Sequence, residues 1–117
     1  LTAQEAQYKL GESTVSGWEF TIVGRAMFAL ARLYGPRRVL LRYPTMAMAS
    51  NNFLSMEAKE LTPTHIELTS LPFTGWPEFF QGNLQSILRV TGAKDIRVTV
   101  VEHDVKGEKL ILRASWS

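Results

Sequence analysis

The segment from Trp18 to Tyr34 constrains the fold of this chain most strongly, because its apolar residues would surround a helix on almost every side. Arg25 and Arg32 are its long polar side chains, and their spacing places them on one face of a helix. Such a helix is either central to the domain or half of a subunit interface. Few other elements of a 117-residue chain could cover it completely, so we predict a homodimer. The predicted interface comprises Trp18, Ile22, Met27, Leu30 and Leu33.

Capping residues and prolines mark where the predicted helices begin and end. Ser16 can cap the start of the first helix, and Glu19 can reach back to it in a capping box. Gly35 is suited to ending that helix in a left-handed conformation. Pro36 can then open a second, shorter helix that runs to about Tyr43. Two helices are therefore expected before the first strand.

Strand pairs and one further helix account for the rest of the chain. Apolar and polar residues alternate on both sides of Thr62-Pro63-Thr64, as they do in a β-hairpin. Residues 76–91 carry an apolar stripe at helical spacing, and residues 96–116 alternate again around a turn at 104–108. The predicted order is ααββαββ. This order indicates an α+β fold, with an antiparallel four-stranded sheet of two hairpins and with the helices packed on one face.

The composition is that of one globular domain spanning residues 1–117. Hydrophobic residues make up 45% of the chain and charged residues 21%, which excludes the composition of a disordered segment. The chain begins with Leu1, so we expect a fragment of a longer chain in which residues 1–15 form a partly ordered lead-in. It has no cysteine and no charge-free apolar stretch long enough to span a membrane. We therefore expect a soluble, cytoplasmic protein.

An arginine-rich segment is the first candidate site. Between Phe20 and Met56 the chain has five arginines and no acidic residue. Guanidinium groups without nearby acids can bind phosphates, an acidic partner surface or another anionic ligand. The alternative is a solvated face whose acids arrive from elsewhere in the fold. The predicted partner-binding or anion-binding residues are Arg25, Arg32, Arg37, Arg38 and Arg42.

A soft apolar cluster is the second candidate site. Methionine side chains are flexible and suit adaptable binding surfaces, although filling of the core explains them equally well. We place this cluster in an apolar pocket between the helices and the sheet. The residues expected to line it are Met27, Met46, Met48, Phe53 and Phe80.

The residues that could perform catalysis or bind a metal do not form a recognisable motif. His65 and His103 are the two histidines, and both fall in predicted hairpins where an exposed position is expected. No serine, threonine or lysine stands in a nucleophile motif, and the glycines do not have the spacing of a phosphate-binding loop. We therefore predict a binding protein without catalytic residues, metal ligands or a cofactor, and not an enzyme.

Four short motifs of the C-terminal half are shared with a known group of domains: Phe80 to Leu84, Val90 to Ala93, Arg97 to Val100, and Arg113 to Trp116. On these motifs the chain resembles the vinyl-reductase-like and heme-NO-binding-like domains. It resembles more closely an uncharacterised domain family abundant in myxobacteria, in its arginine-bearing helix, in Asn51-Asn52-Phe53 and in Trp116.

The resemblance implies a small bacterial α+β module that dimerises through its helices and holds an apolar ligand or a protein partner. It does not imply heme, because heme-NO-binding domains use a histidine on a helix. Both histidines of this chain fall in predicted hairpins. It does not imply an iron–sulfur cluster either, because the chain has no cysteine.

Three functional hypotheses remain open from the sequence. The leading one is a non-enzymatic regulatory or scaffolding module in signalling, which dimerises through its first helix and binds a protein partner or an anionic ligand. The alternative is a small-molecule sensor domain with an apolar pocket between helices and sheet. Nucleic-acid binding through the arginine-rich segment is the third and is not favoured, because the chain lacks the interleaved basic and aromatic residues of an RNA-binding sheet.

Overall fold

The computed structural model describes residues 2–18, 20–50, 55–73 and 75–117, and it describes the side chains of all of these except residues 46–50. The predicted α+β class and the order ααββαββ are confirmed. The elements are the helices α1 (Ala3–Trp18), α2 (Ile22–Ser50) and α3 (Pro77–Val90), and the strands β1 (Met56–Thr62), β2 (His65–Ser70), β3 (Arg97–Asp104) and β4 (Lys109–Ser115).

The four strands form one antiparallel sheet in the order β1-β2-β4-β3. The two predicted hairpins therefore meet through β2 and β4, where Leu68 pairs with Leu112. Side chains alternate along both central strands, so that Ile66 and Leu68 of β2 are buried on the same face as Leu110 and Leu112 of β4. This apolar face is the one that the helices cover.

The helices form two layers on that face. α2 and α3 contact the strands of the sheet, whereas α1 packs on α3 and, among the described residues, contacts no strand. Leu40 of α2 and Leu84 and Leu88 of α3 are fully buried between helices and sheet. The prediction that the helices pack on one face is confirmed. No described helix is both long and apolar enough to cross a membrane.

Residues 1–15, predicted as a partly ordered lead-in, contribute instead to α1. The side-chain oxygen of Thr2 accepts a hydrogen bond from the backbone N–H of Glu5 at 3.1 Å, and this bond caps the helix start. Gly11 and Val15 are the buried residues of α1. With so few buried positions, α1 has little apolar periodicity, and its helical state depends on packing against α3.

The predicted helix start at Ser16 is wrong, because Ser16 lies near the end of α1. The chain turns at residues 20–21, where the Thr21 hydroxyl accepts a hydrogen bond from the Gly24 N–H at 2.9 Å and caps α2. The predicted break at Gly35 is present as a kink inside α2, where Gly35 has φ 81° and ψ 170°. Only glycine adopts this conformation readily. The kink divides α2 into a first segment, residues 22–34, and a second segment, residues 36–50.

Candidate functional site

A cavity of about 500 Å³, here called the helix cavity, lies among the three helices. It is bounded by the end of α1, both segments of α2 and the last turns of α3. None of its lining residues belongs to a strand, so it does not lie between helices and sheet, where we predicted the pocket. Its lining residues are Trp18, Met27, Phe28, Leu30, Ala31, Tyr34, Val39, Arg42, Tyr43, Thr45, Ile87 and Val90.

The kink at Gly35 separates the two segments of α2 that line this cavity. Leu40 and Tyr43 of the second segment are buried in the core, whereas most residues of the first segment are exposed. Gly24 and Phe28 are the buried residues among those described in the first segment. The side of this segment that faces α1 and α3 therefore borders a cavity rather than a packed interface.

A buried polar pair closes the inner wall of the cavity. The Tyr43 hydroxyl donates a hydrogen bond to the Asn83 side-chain oxygen at 2.9 Å, and the Asn83 amide donates to the Gly11 carbonyl oxygen at 3.3 Å. These two bonds connect all three helices. Burial raises the pKa of the Tyr43 phenol, so this group stays protonated at neutral pH. The hydroxyl is thus occupied by Asn83, and the ring of Tyr43 presents an apolar surface.

Polar groups gather at one side of the cavity. Tyr34, Arg42 and Thr45 are all exposed residues that also line it. The Arg42 guanidinium carbon lies 5.0 Å from the centre of the Tyr34 ring, which is a cation–π arrangement. Among the described lining residues, Arg42 alone is charged.

Arg37 is paired with an acid from elsewhere in the fold. Its guanidinium donates to both carboxylate oxygens of Glu60 on β1, with 3.0 Å between Nη2 and Oε2. The hydrogen bond raises the pKa of Arg37 and lowers the pKa of Glu60. Arg38 is exposed and does not line the helix cavity. These two arginines match the alternative of a solvated face.

Arg25 and Arg32 lie on another side of α2. Together with Phe20, Phe28 and Ala29, they line a second hollow of about 330 Å³. The Arg32 Nε–H donates a hydrogen bond to the carbonyl oxygen of Val90 at the end of α3, with 3.4 Å between nitrogen and oxygen. The five arginines are therefore distributed over three places and do not form one basic surface.

The residues predicted for an apolar pocket are not brought together by the described structure. Met27 lines the helix cavity. Phe80 does not, because its ring packs edge-on against Phe73 and Phe79, each at 5.6 Å between ring centres. The Met46 and Met48 side chains and all of Phe53 lie outside the described residues.

The residues predicted for a dimer interface divide into two groups, one facing the helix cavity and one on the exposed side of α2. Trp18, Met27 and Leu30 line the helix cavity. Ile22 and Leu33 point to the opposite side, where they are 89% and 79% exposed. Because this helix is apolar all round, the spacing of its residues does not show which side contacts the rest of the domain.

Several lining residues were not predicted from the sequence. Tyr43 and Val39 face the cavity from the second segment of α2, and Ile87 and Val90 face it from the end of α3. The spacing of three between Ile87 and Val90 places them on one side of α3, which is a usable signal. Their role depends on α2 crossing near that side, which the spacing does not encode.

Neither histidine is near the helix cavity. His65 begins β2 and His103 lies on β3, so the placement of both in hairpins is confirmed. The His103 ring meets Phe73 edge-on at 5.8 Å. Within the described part of the chain, no group of three histidine, cysteine, aspartate or glutamate residues is placed to hold a metal ion.

Sequence comparison identifies a family for the whole chain. A family model described as "Protein of unknown function (DUF2378)" matches residues 1–117. No curated protein matches the sequence.

Structural comparison identifies the heme-NO-binding (H-NOX) fold. One similar structure is from a study of heme distortion in the H-NOX family, with a TM-score of 0.78. A second is a mutant H-NOX of T. tengcongensis with a TM-score of 0.77. A third is an oxygen-binding H-NOX domain related to soluble guanylate cyclases, with a TM-score of 0.76. Each is 14% identical in sequence, and each match covers 99% of this chain.

The match covers only 63% to 64% of each of these H-NOX chains, so the present chain spans less than two thirds of their length. At this identity the likeness shows the fold. The predicted resemblance to heme-NO-binding-like domains is confirmed at that level.

Proposed function

This chain belongs to the DUF2378 family, and we propose that it is a non-enzymatic small-molecule sensor domain that binds an apolar ligand in the helix cavity. The observation that carries the proposal is a cavity of about 500 Å³ with a largely apolar lining. Ligand pockets are typically about 300–1,000 Å³ and mainly apolar, with a few polar groups. Support also comes from the fold, because one H-NOX domain with this fold is described as oxygen-binding and another comes from a study of heme distortion in the H-NOX family. We therefore favour the sensor over the regulatory or scaffolding module.

Among the residue types that ligate heme iron, the described lining of the helix cavity offers only two tyrosines, Tyr34 and Tyr43, and Met27. Protein ligands to heme iron are histidine, cysteine, tyrosine, or methionine together with histidine. The described lining has no histidine or cysteine. The buried Tyr43 phenol donates to Asn83 and has a raised pKa, which opposes its use as a phenolate ligand. Met27 lines the cavity without a histidine partner. We therefore propose a ligand held by contact with apolar side chains.

The position of the cavity suggests how binding would produce a signal. A ligand there contacts both segments of α2 and the end of α3. It stabilises whichever position of the first segment encloses it best, since a ligand shifts a conformational equilibrium by its difference in affinity for the two states. The outer face of the same segment is exposed and available to a partner.

The binding proposal can be tested with N-phenyl-1-naphthylamine, an uncharged dye whose fluorescence rises in apolar surroundings. We expect saturable binding at one site per chain. Ala31→Trp fills the cavity and is expected to weaken binding at least about tenfold. Ala6→Trp makes the same change at an exposed position of α1 that does not line the cavity. It should leave the dissociation constant within about twofold.

A fluorescence titration of the three proteins separates the outcomes. An absence of saturable binding to the unmodified chain contradicts the sensor proposal. Weakening by Ala6→Trp to the same extent as by Ala31→Trp would show that the dye does not bind in the helix cavity, and would also contradict the proposal.

Homodimerisation is a second proposal, favoured by the outer face of the first segment of α2. Ile22, Ala26, Ala29 and Leu33 are all exposed. Their spacing of four, three and four places them on one face of the helix. The spacings are therefore the same when the helix is read from either end. In an antiparallel pair, Ile22 would meet Leu33 and Ala26 would meet Ala29, as a two-fold axis requires. The central alanines would let the two helices approach closely.

Leu33→Glu should therefore abolish this dimer, because it buries a carboxylate in an apolar contact. We expect the unmodified chain to dimerise with a dissociation constant on the order of micromolar, since one helix face is a small interface. Val105→Glu is the control, because Val105 is 72% exposed in a hairpin turn. Light scattering over a concentration series measures the mass of each protein. A monomer at every concentration would contradict the dimer.

A further inference from the structure

The helix cavity has one charged group at its edge. Eight of its described lining residues are apolar, three carry hydroxyl groups, and Arg42 alone carries a charge. The Tyr43 hydroxyl is buried and bonded to Asn83. The polar groups left for a ligand are therefore those of Arg42, Tyr34 and Thr45, and all three residues are exposed. A ligand that fills this cavity meets apolar surface along most of its length and a guanidinium group at one end.

No carboxylate occupies Arg42 among the described residues. The basic residues that form ion pairs within the described part of the chain are Arg37, Arg89, Lys109 and Arg113. The sequence itself has no acidic residue between Phe20 and Met56. Arg42 instead stacks on the ring of Tyr34, which also lines the cavity. A cation–π contact does not use the guanidinium N–H groups as donors to an oxygen, so these groups can donate to an anion.

We infer that the ligand of the helix cavity is an amphipathic anion, with an apolar body among the helices and an anionic group against Arg42. This inference rests on the proposed sensor function and adds the chemical class of the ligand. A planar guanidinium binds carboxylates, sulfonates and phosphates with paired hydrogen bonds.

Two dyes that share one scaffold provide the test. N-phenyl-1-naphthylamine is uncharged, and 8-anilinonaphthalene-1-sulfonate is the same scaffold with an added sulfonate. We expect Arg42→Gln to weaken binding of the sulfonate dye about fivefold, the magnitude of an ion pair open to solvent. Binding of the uncharged dye should stay within about twofold. Arg42→Lys should keep part of the preference, since it retains the charge without the planar donor pair.

Arg38→Gln is the matched control. Arg38 is exposed on the same segment of α2 and does not line the cavity. Arg38→Gln removes the same charge as Arg42→Gln. A general loss of electrostatic attraction would therefore weaken binding of the sulfonate dye equally in both variants. A specific contact weakens it in Arg42→Gln alone. Added salt should reduce the affinity for the sulfonate dye and not for the uncharged one.

The outcomes distinguish the inference of an anionic ligand from the proposed sensor function on which it rests. If both dyes bind and Arg42→Gln changes neither, or if Arg38→Gln weakens the sulfonate dye to the same extent, the anionic class is wrong and the apolar site stands. If neither dye binds the unmodified chain, the sensor proposal itself is wrong. Selective weakening of the sulfonate dye by Arg42→Gln supports both.

Discussion

Asn83→Ala is expected to lower the free energy of unfolding by about 3 kcal/mol. Asn83 is 7% exposed. It accepts a hydrogen bond from the Tyr43 hydroxyl and donates one to the Gly11 carbonyl oxygen. Alanine leaves both of these groups without their partner inside the protein, and an unsatisfied buried group costs about 1–3 kcal/mol. It also removes side-chain volume where the three helices meet.

Chemical denaturation followed by circular dichroism measures this loss. Gln85→Ala is the matched control, because Gln85 is a half-buried amide of the same helix whose side chain makes no hydrogen bond within the described part of the chain. It should change stability by no more than about 0.5 kcal/mol. Tyr43→Phe removes only the shared hydroxyl and should cost about 1–2 kcal/mol.

The double variant of Tyr43→Phe and Asn83→Ala tests the pair directly. Because both single changes break the same hydrogen bond, their combined cost should be smaller than the sum by about 1 kcal/mol. Strict additivity would show that Asn83 does not act through Tyr43. That result would contradict the polar link between the helices that closes the inner wall of the cavity.

Gly82→Ala is expected to destabilise the fold by about 2 kcal/mol, although alanine is normally the better helix former. A β-carbon at Gly82 would collide with the backbone carbonyl oxygen of Tyr8 on α1. The contact is reciprocal, since a β-carbon at Gly11 would collide with the carbonyl oxygen of Phe79 on α3. The two glycines therefore let α1 and α3 cross with their backbones nearly touching. Neither helix can yield locally, because the obstacle is backbone.

Gly17→Ala is the control within α1. A β-carbon at Gly17 meets nothing within 4 Å. Alanine should therefore be neutral there or stabilise the protein by up to about 1 kcal/mol, through helix propensity. Thermal or chemical unfolding of the two variants should give changes of opposite sign or of clearly different size. Equal effects would mean that α1 does not pack on α3 as the structure has it.

The crossing of α1 and α3 also bears on the candidate site. α1 carries Trp18 at its end, and Trp18 lines the helix cavity. The crossing point at Gly11 and Gly82 positions α1, and with it this tryptophan. A change that displaces α1 should therefore reduce dye binding as well as stability.

The two hairpins, the helix between them and the break at Gly35 could be predicted from the sequence, because each depends on neighbours along the chain. Alternation in β2 and β4 and the conformational freedom of Gly35 act over a few residues. The same local alternation places both histidines in hairpins. Family motifs of a few residues also indicated the H-NOX-like fold.

The existence of α1 and the place of the cavity were decided only by the tertiary structure. The residues of α1 buried against α3 include a glycine, which has no side chain to mark an apolar stripe. The link between Tyr43 and Asn83 joins residues 40 positions apart. The pairing of Arg37 with Glu60 and the opening of a cavity at the kink likewise depend on how distant segments meet. Local periodicity records which positions are apolar, and only packing determines which of them face one another.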